Sequence, residues 1–159
     1  MNVFIGCTHE KKSIECKAED MYKPSSLYCK ALTYAKKILK ADHIYILSAK
    51  YHLLPLNKTI SPYNQYLGDF NAEEKEEWYK ETISQMKQHH IDFNEKTVFL
   101  CGEDYYKGLK DEFSDCDCPY EKQDGIGYIL GWLTKQIEGV EEIKESMISL
   151  YNYLKEELN

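Results

Sequence analysis

The sequence has no apolar run long enough to cross a bilayer, which excludes a chain built on membrane-spanning helices and implies no membrane partner. It has no internal repeat, no low-complexity tract and no linker-like stretch. Solenoid architectures are therefore excluded, and residues 1–159 read as one domain. Basic charge is scarce: 20 Lys+Arg stand against 27 Asp+Glu, for a net charge of −7. That balance argues against a broad nucleic-acid-binding footprint, so nucleic acid is not the favoured partner, while a local basic pocket remains allowed. The opening Met1-Asn2-Val3-Phe4-Ile5-Gly6 is too short for a signal peptide, and the expected location is cytoplasmic. Paired metal-ligand spacing is also missing. Cys116-Asp117-Cys118 is not the two-residue spacing of a zinc knuckle, and no second pair follows it. The six cysteines are expected as separate reduced thiols, with no metal and no cofactor.

What is present is a core. Hydrophobic residues make up 43% of the chain, enough for an ordinary globular interior. The organising stretch is His43 to His52. Ile44 to Ser48 reads as a strand buried on both faces of a sheet, followed by polar Lys50, Tyr51 and His52 and an irregular loop from Leu53 to Phe70.

Val3-Phe4-Ile5 and Thr97 to Cys101 read as two more buried strands, and Cys116 to Tyr120 as a fourth, short one. Between them lie helical patterns. One starts at Lys23-Pro24-Ser25-Ser26 and carries Leu27, Ala31, Leu32, Ala35, Ile38 and Leu39 to about Lys40. Another starts at Asn71, with Glu74 at the capping-box position, and carries Tyr79, Ile83 and Met86. A short helix is expected around Tyr106, Leu109 and Phe113, and one after Gly125 through Ile137. A last amphipathic helix, about 140–157, carries Val140, Ile143, Met147, Leu150 and Leu154. Alternating strands and helices imply an α/β domain with a short, mostly parallel sheet of about four strands. The strands around Phe4, Ile46 and Phe99 are expected as parallel neighbours, none of them in an antiparallel hairpin.

In such a sheet the strand ends converge on one rim, where open α/β folds bind ligands. That brings together Cys7, Thr8, Ser48, Lys50 and Glu103, with Lys11 and Lys12 from the first loop and Tyr63 and Tyr66 from the long one. Aromatic faces beside cations suit a planar heterocycle carrying a phosphate or sugar. Gly125 and Gly127 at a helix start offer backbone N–H groups to an anion. Each residue also has a plainer reading. Cys7 fits a core position, Lys50 a solvated loop, Glu103 a helix-start carboxylate and Tyr63 a loop pin.

The order Gly6-Cys7-Thr8-x-x-Lys11-Lys12, Met21-Tyr22-x-x-Ser25, Ile46-Leu47-Ser48-Ala49-Lys50-Tyr51-x-Leu53-Leu54, Ile60-x-Pro62-Tyr63 and Gly125-Ile126-Gly127-x-x-Leu130-x-Trp132-Leu133 carries a resemblance. It resembles an uncharacterised bacterial and phage family whose members are often labelled relatives of the peroxide-stress protein YaaA. The sequence departs from that pattern at Tyr51-His52, where members commonly have a glycine. A more distant similarity runs to the lysine- and cysteine-bearing domain of archaeosine synthase and to uracil-DNA-glycosylase-like folds. It implies a three-layer αβα domain with a nucleobase-sized pocket.

Two functions follow as expectations. One is a nucleobase- or nucleoside-recognising enzyme that cleaves or exchanges an N-glycosidic bond. In it Lys50, Glu103 and Cys7 are catalytic, and Thr8, Lys11, Lys12, Ser48, Tyr63, Gly125 and Gly127 bind the ligand. The other is a non-catalytic nucleotide- or nucleic-acid-binding stress-response or phage-related protein. The thiol reading has its own test. Elemental analysis of protein purified under mild reductant is expected to find no stoichiometric zinc, and about one zinc per chain would overturn it, with Cys116 and Cys118 the first suspects.

Overall fold

The computed structural model describes residues 1–158. In chain order the elements are β1 (Asn2–Gly6), β2 (Cys16–Lys17), α1 (Ala18–Met21), α2 (Ser26–Thr33), β3 (His43–Ser48), β4 (His52–Pro55), β5 (Thr59–Ile60), α3 (Ala72–Gln88), β6 (Thr97–Leu100), α4 (Glu103–Tyr106), β7 (Cys116–Asp117) and α5 (Ile126–Glu157). Helix α2 runs on into a π-helical turn, Tyr34–Ile38.

All five residues of β1 are buried, as a strand is only when both faces and both edges are covered. It lies between β3 and β6 and runs parallel to both, with Phe4 opposite Tyr45 on one side and Phe99 on the other. Strand β7 extends the sheet in parallel beyond β6, and β4 closes the other edge, giving the order β4-β3-β1-β6-β7. Strands β2 and β5 form a separate antiparallel pair.

Strand β4 corrects two expectations. The chain after Tyr51 is not irregular from Leu53 onward, and β3 does take part in an antiparallel hairpin. Leu53 and Leu54 are buried opposite Leu47 and Ile46, so folding back satisfies an edge that would otherwise expose backbone N–H and C=O groups. Closing so short a turn forces His52 to φ 63, the left-handed region that favours glycine. His52 stands in the Tyr51-His52 pair that marks the departure from the resembled family's pattern.

Alternation along the strands divides the core. Val3, Ile5, Ile46, Leu54, Val98 and Leu100 pack with Tyr28, Ala31 and Ala35 of the α2 segment. Phe4, Leu47, Leu53 and Phe99 pack with Trp78, Tyr79 and Met86 of α3. Asn71 and Glu74 close the capping box of α3 reciprocally, as their spacing predicts. Helix α5 is one continuous 32-residue element and not two helices. Gly139 costs a helix interior only about 1 kcal/mol, and no proline interrupts the run. The expected fourth strand survives only as Cys116–Asp117, because Pro119 starts a 3₁₀ turn through Lys122. No helix among the described residues is long and apolar enough to cross a membrane.

The β1–β6 seam is tight at its end. A Cβ placed on Gly6 would meet Cys101 Cβ at 2.8 Å. Gly6→Ala is expected to cost roughly 1–3 kcal/mol in chemical denaturation, the range for overpacking a close-packed interior. Gly102→Ala, where a Cβ meets nothing within 4 Å, is expected to be near neutral and serves as the control.

Candidate functional site

A cavity of about 490 Å³ opens where β1 and β6 end. Cys7 and Thr8 come from the end of β1, Cys101 and Gly102 from the end of β6, and Lys11 from the loop that follows β1. The start of α2 supplies Ser25, Ser26 and Tyr28. Asn64 and Tyr66 approach from the 61–70 segment, and Tyr105, Tyr120 and Ile129 complete the wall. A second concavity of about 510 Å³ is a shallow groove on α3, edged by Glu73, Glu74, Glu77 and Glu81. Four carboxylates there repel an anionic ligand, whereas the strand-end cavity is lined by one carboxylate, Glu10, and the Lys11 ammonium.

The sequence contains no arginine, so every fixed cation apart from the N-terminus is a lysine ammonium. Lys11 Nζ lies 4.6 Å from the centroid of the Tyr63 ring and 6.0 Å from that of Tyr22, within cation–π reach of the first. It donates to the His9 carbonyl at 3.3 Å and forms no ion pair among the described residues. Desolvation holds its pKa below the usual lysine range, with the nearby Cys7 sulfur opposing the shift.

Beneath Lys11 runs a chain of hydroxyls. Ser48 Oγ donates to Tyr63 Oη at 2.7 Å, and Tyr63 and Tyr22 share a hydrogen bond of 2.6 Å. Cys7 Sγ and Tyr105 Oη share one of 3.2 Å. Burial first, and the neighbouring Cys7 sulfur second, push the phenols of Tyr22, Tyr63 and Tyr105 far above the ordinary tyrosine range. They stay neutral at any working pH and remain proton donors. One thiol, one desolvated ammonium and the neutral Tyr105 phenol therefore line the cavity, with the Tyr22–Tyr63 phenol pair packed behind Lys11.

At the α2 start, Ser25 Oγ accepts from Tyr28 N and Ser25 O from Cys29 N, which leaves the Ser26 and Leu27 N–H groups without intrahelical acceptors. Ser26 and Leu27 both line the cavity. Tyr120 also lines it, and its phenolic oxygen is buried without a hydrogen-bond partner. The cavity thus offers donors that the protein itself does not use.

Of the residues expected from sequence, Cys7, Thr8, Lys11 and Tyr66 line this cavity and the others do not. Lys50 is exposed in the β3–β4 turn, with Nζ 5.3 Å from the Tyr51 ring centroid. The hairpin carries it away from the strand-end rim. Glu103 is exposed as the first residue of α4, the plainer of its two readings. Ser48 is fully buried. Its Oγ accepts from Lys50 N and Tyr51 N while donating to Tyr63, so a hydroxyl's whole capacity is used internally. Tyr63 is committed to the same network and pins the loop, leaving Tyr66 of that loop at the cavity. Lys12 is exposed. Gly125 adopts φ 110 to start α5, but the adjoining Ile126, Ile129 and Leu130 line the wall in place of Gly125 and Gly127. Ser26, Asn64, Tyr105 and Tyr120 were missed. Ser25-Ser26 carried a signal only as a helix start, and nothing in the sequence marked the other three.

Two outcomes follow. A desolvated ammonium without a carboxylate works against the fold, so Lys11→Met is expected to melt at or above wild type at neutral pH. Because the folded pKa of Lys11 is lowered, wild type sheds this penalty as pH rises through that pKa, and the gap to Lys11→Met should narrow in alkaline denaturation series. Lys50→Met is expected to melt within about 0.5 kcal/mol of wild type, as an exposed substitution does.

No curated protein and no solved structure matches this chain. A family of unknown function, DUF6884, matches residues 3–135, a span that holds all of the five-stranded sheet but Asn2, with α2, α3 and every residue of the cavity wall. The chain belongs to this family of unknown function.

Proposed function

We propose that the strand-end cavity binds a nucleotide-type ligand, with the anionic group at the α2 start and the planar base against the tyrosine wall. The observation that carries this reading is the convergence of unused donors. The free N–H groups of Ser26 and Leu27 and the unpaired Lys11 ammonium adjoin one cavity, and a helix start favours an anion for the same reason. Its volume of about 490 Å³ lies within the ~300–1,000 Å³ of small-molecule sites. Tyr66, largely exposed, supplies aromatic surface for a base, with the mostly buried Tyr105 ring beside it. The net charge of −7 favours a small ligand over duplex nucleic acid.

A second reading is cleavage or exchange of an N-glycosidic bond, and the placement of Cys7 favours it. Its thiolate would attack the anomeric carbon as the bond to the base breaks. Tyr105, hydrogen-bonded to the Cys7 sulfur, would relay the thiol proton to the departing base and itself stay neutral, and water or a second base would then displace the sulfur and return a proton to it. Lys50 and Glu103 have no part in this version.

Core side chains on both sheet faces support the three-layer αβα reading, and with it the resemblance to YaaA-labelled and archaeosine synthase-like domains. A cytoplasmic setting accords with the reduced thiols this chemistry needs.

Calorimetric titration with a panel of nucleoside 5′-monophosphates and the matching nucleosides tests the proposal. At least one monophosphate is expected to bind tenfold or more tightly than its nucleoside. Lys11→Met should weaken that binding by about 10–100-fold, the loss expected for a charge-assisted contact, while Lys50→Met leaves it unchanged. Absence of binding across the panel overturns the proposal. Single-turnover release of free base, abolished in Cys7→Ser with binding retained, would establish the second reading.

A further inference from the structure

Helix α5 changes character along its length. Ile129, Trp132, Leu133 and Ile137 pack against the domain core, whereas every described residue from Glu141 onward is exposed. That exposed stretch extends roughly 27 Å at 1.5 Å per residue. It contains no alanine, two serines, an asparagine and two tyrosines, and no ion pair among the described residues falls within it. Eighteen residues of this composition are a poor helix on their own, because isolated helices of that length are marginal in water even when alanine-rich. Something must cover its apolar face.

The spacing says what covers it. Val140, Ile143, Met147, Leu150 and Leu154 follow one another at three, four, three and four residues, the a and d positions of a heptad. The same register runs back through Gln136 to Leu133 and Ile129, where the seam faces the domain. Ile143, Met147, Leu150 and Leu154 expose between 48% and 65% of their surface. The flanking e and g positions are Lys144, Ser146, Tyr151, Tyr153 and Leu158, none of them acidic, and the one acid in the seam itself is Glu157, at the d position of the last turn. Glu141, Glu142, Glu145 and Glu156 all fall on the b, c and f positions, away from it. An acidic outer face also disfavours an anionic lipid surface, which selects basic helices.

We propose that the exposed half of α5 is a dimerisation helix whose occupant is the same segment of a second copy of this chain, joined as a two-helix coiled coil. The five seam positions, with Tyr151, Tyr153 and Leu158 beside them, offer apolar surface on the order of the ~800 Å² per partner of a standard interface. The family match ends at residue 135, before this half begins, so the dimer is separable from the cavity and from any ligand it holds.

Light scattering coupled to size exclusion, run on the full chain from low micromolar to high micromolar concentration, tests this. Wild type is expected at twice the chain mass. Met147→Glu/Leu150→Glu is expected at the chain mass, with the near-ultraviolet circular dichroism of the domain unchanged because both sites lie outside its core. Glu142→Lys/Glu145→Lys, on the outer face, should stay at twice the chain mass. A wild type that remains at the chain mass at every concentration overturns the proposal, whether or not it binds lipid vesicles. So does a Met147→Glu/Leu150→Glu variant that still runs at twice the chain mass.

Discussion

The structure depends on how Ser48 spends its hydrogen bonds. It is fully buried at the end of β3, where an unpaired hydroxyl or carbonyl would cost roughly 1–3 kcal/mol. Its Oγ accepts from Lys50 N at 3.2 Å and Tyr51 N at 3.0 Å, and donates to Tyr63 Oη at 2.7 Å. Its carbonyl accepts from Trp78 Nε1 at 3.0 Å. One residue thereby fixes the hairpin turn, anchors the 61–70 segment and docks α3. Through the Tyr63–Tyr22 bond it also reaches the segment that leads into α2. The two core clusters meet their common sheet at this point, and removing its hydroxyl would strand several buried groups at once.

This arrangement explains why the cavity lies where it does. With Ser48 satisfied internally, the β3 end of the sheet closes over as a hairpin and Lys50 turns to solvent. The rim stays open only over β1 and β6, between the α2 start and the beginning of α5. The strand-end position where open α/β sheets bind ligands is a cavity here, but at two of the three central strands.

The chemistry of the floor follows from exclusion of water. Buried phenols stay protonated because the phenolate would be desolvated, and Lys11 is held below its usual range for the same reason. An ammonium that has given up hydration without gaining a carboxylate is poised to gain from an arriving anion. Cys7 lines the cavity at the end of β1, and its hydrogen bond with Tyr105 sets a thiol beside a neutral phenol.

The sequence by itself determined the elements whose signals are local. Buried strands at Phe4, Ile46 and Phe99, the Asn71–Glu74 capping box and the helix start at Ser25 were legible from period and capping chemistry, because those depend on neighbours a few residues away. So were Cys7, Thr8 and Lys11, which a strand end places directly. Whether Leu53 and Leu54 form an edge strand depends on pairing with β3, and whether Ser48 faces a ligand or the interior depends on Tyr63 and Trp78. The distinction between Tyr63 as a pin and Tyr66 as a wall depends on Tyr22 in the same way. Those contacts join residues far apart in the chain, where no periodicity records them, so only the tertiary structure decided that Lys50 and Glu103 stand outside the cavity and that Ser26, Tyr105 and Tyr120 stand within it.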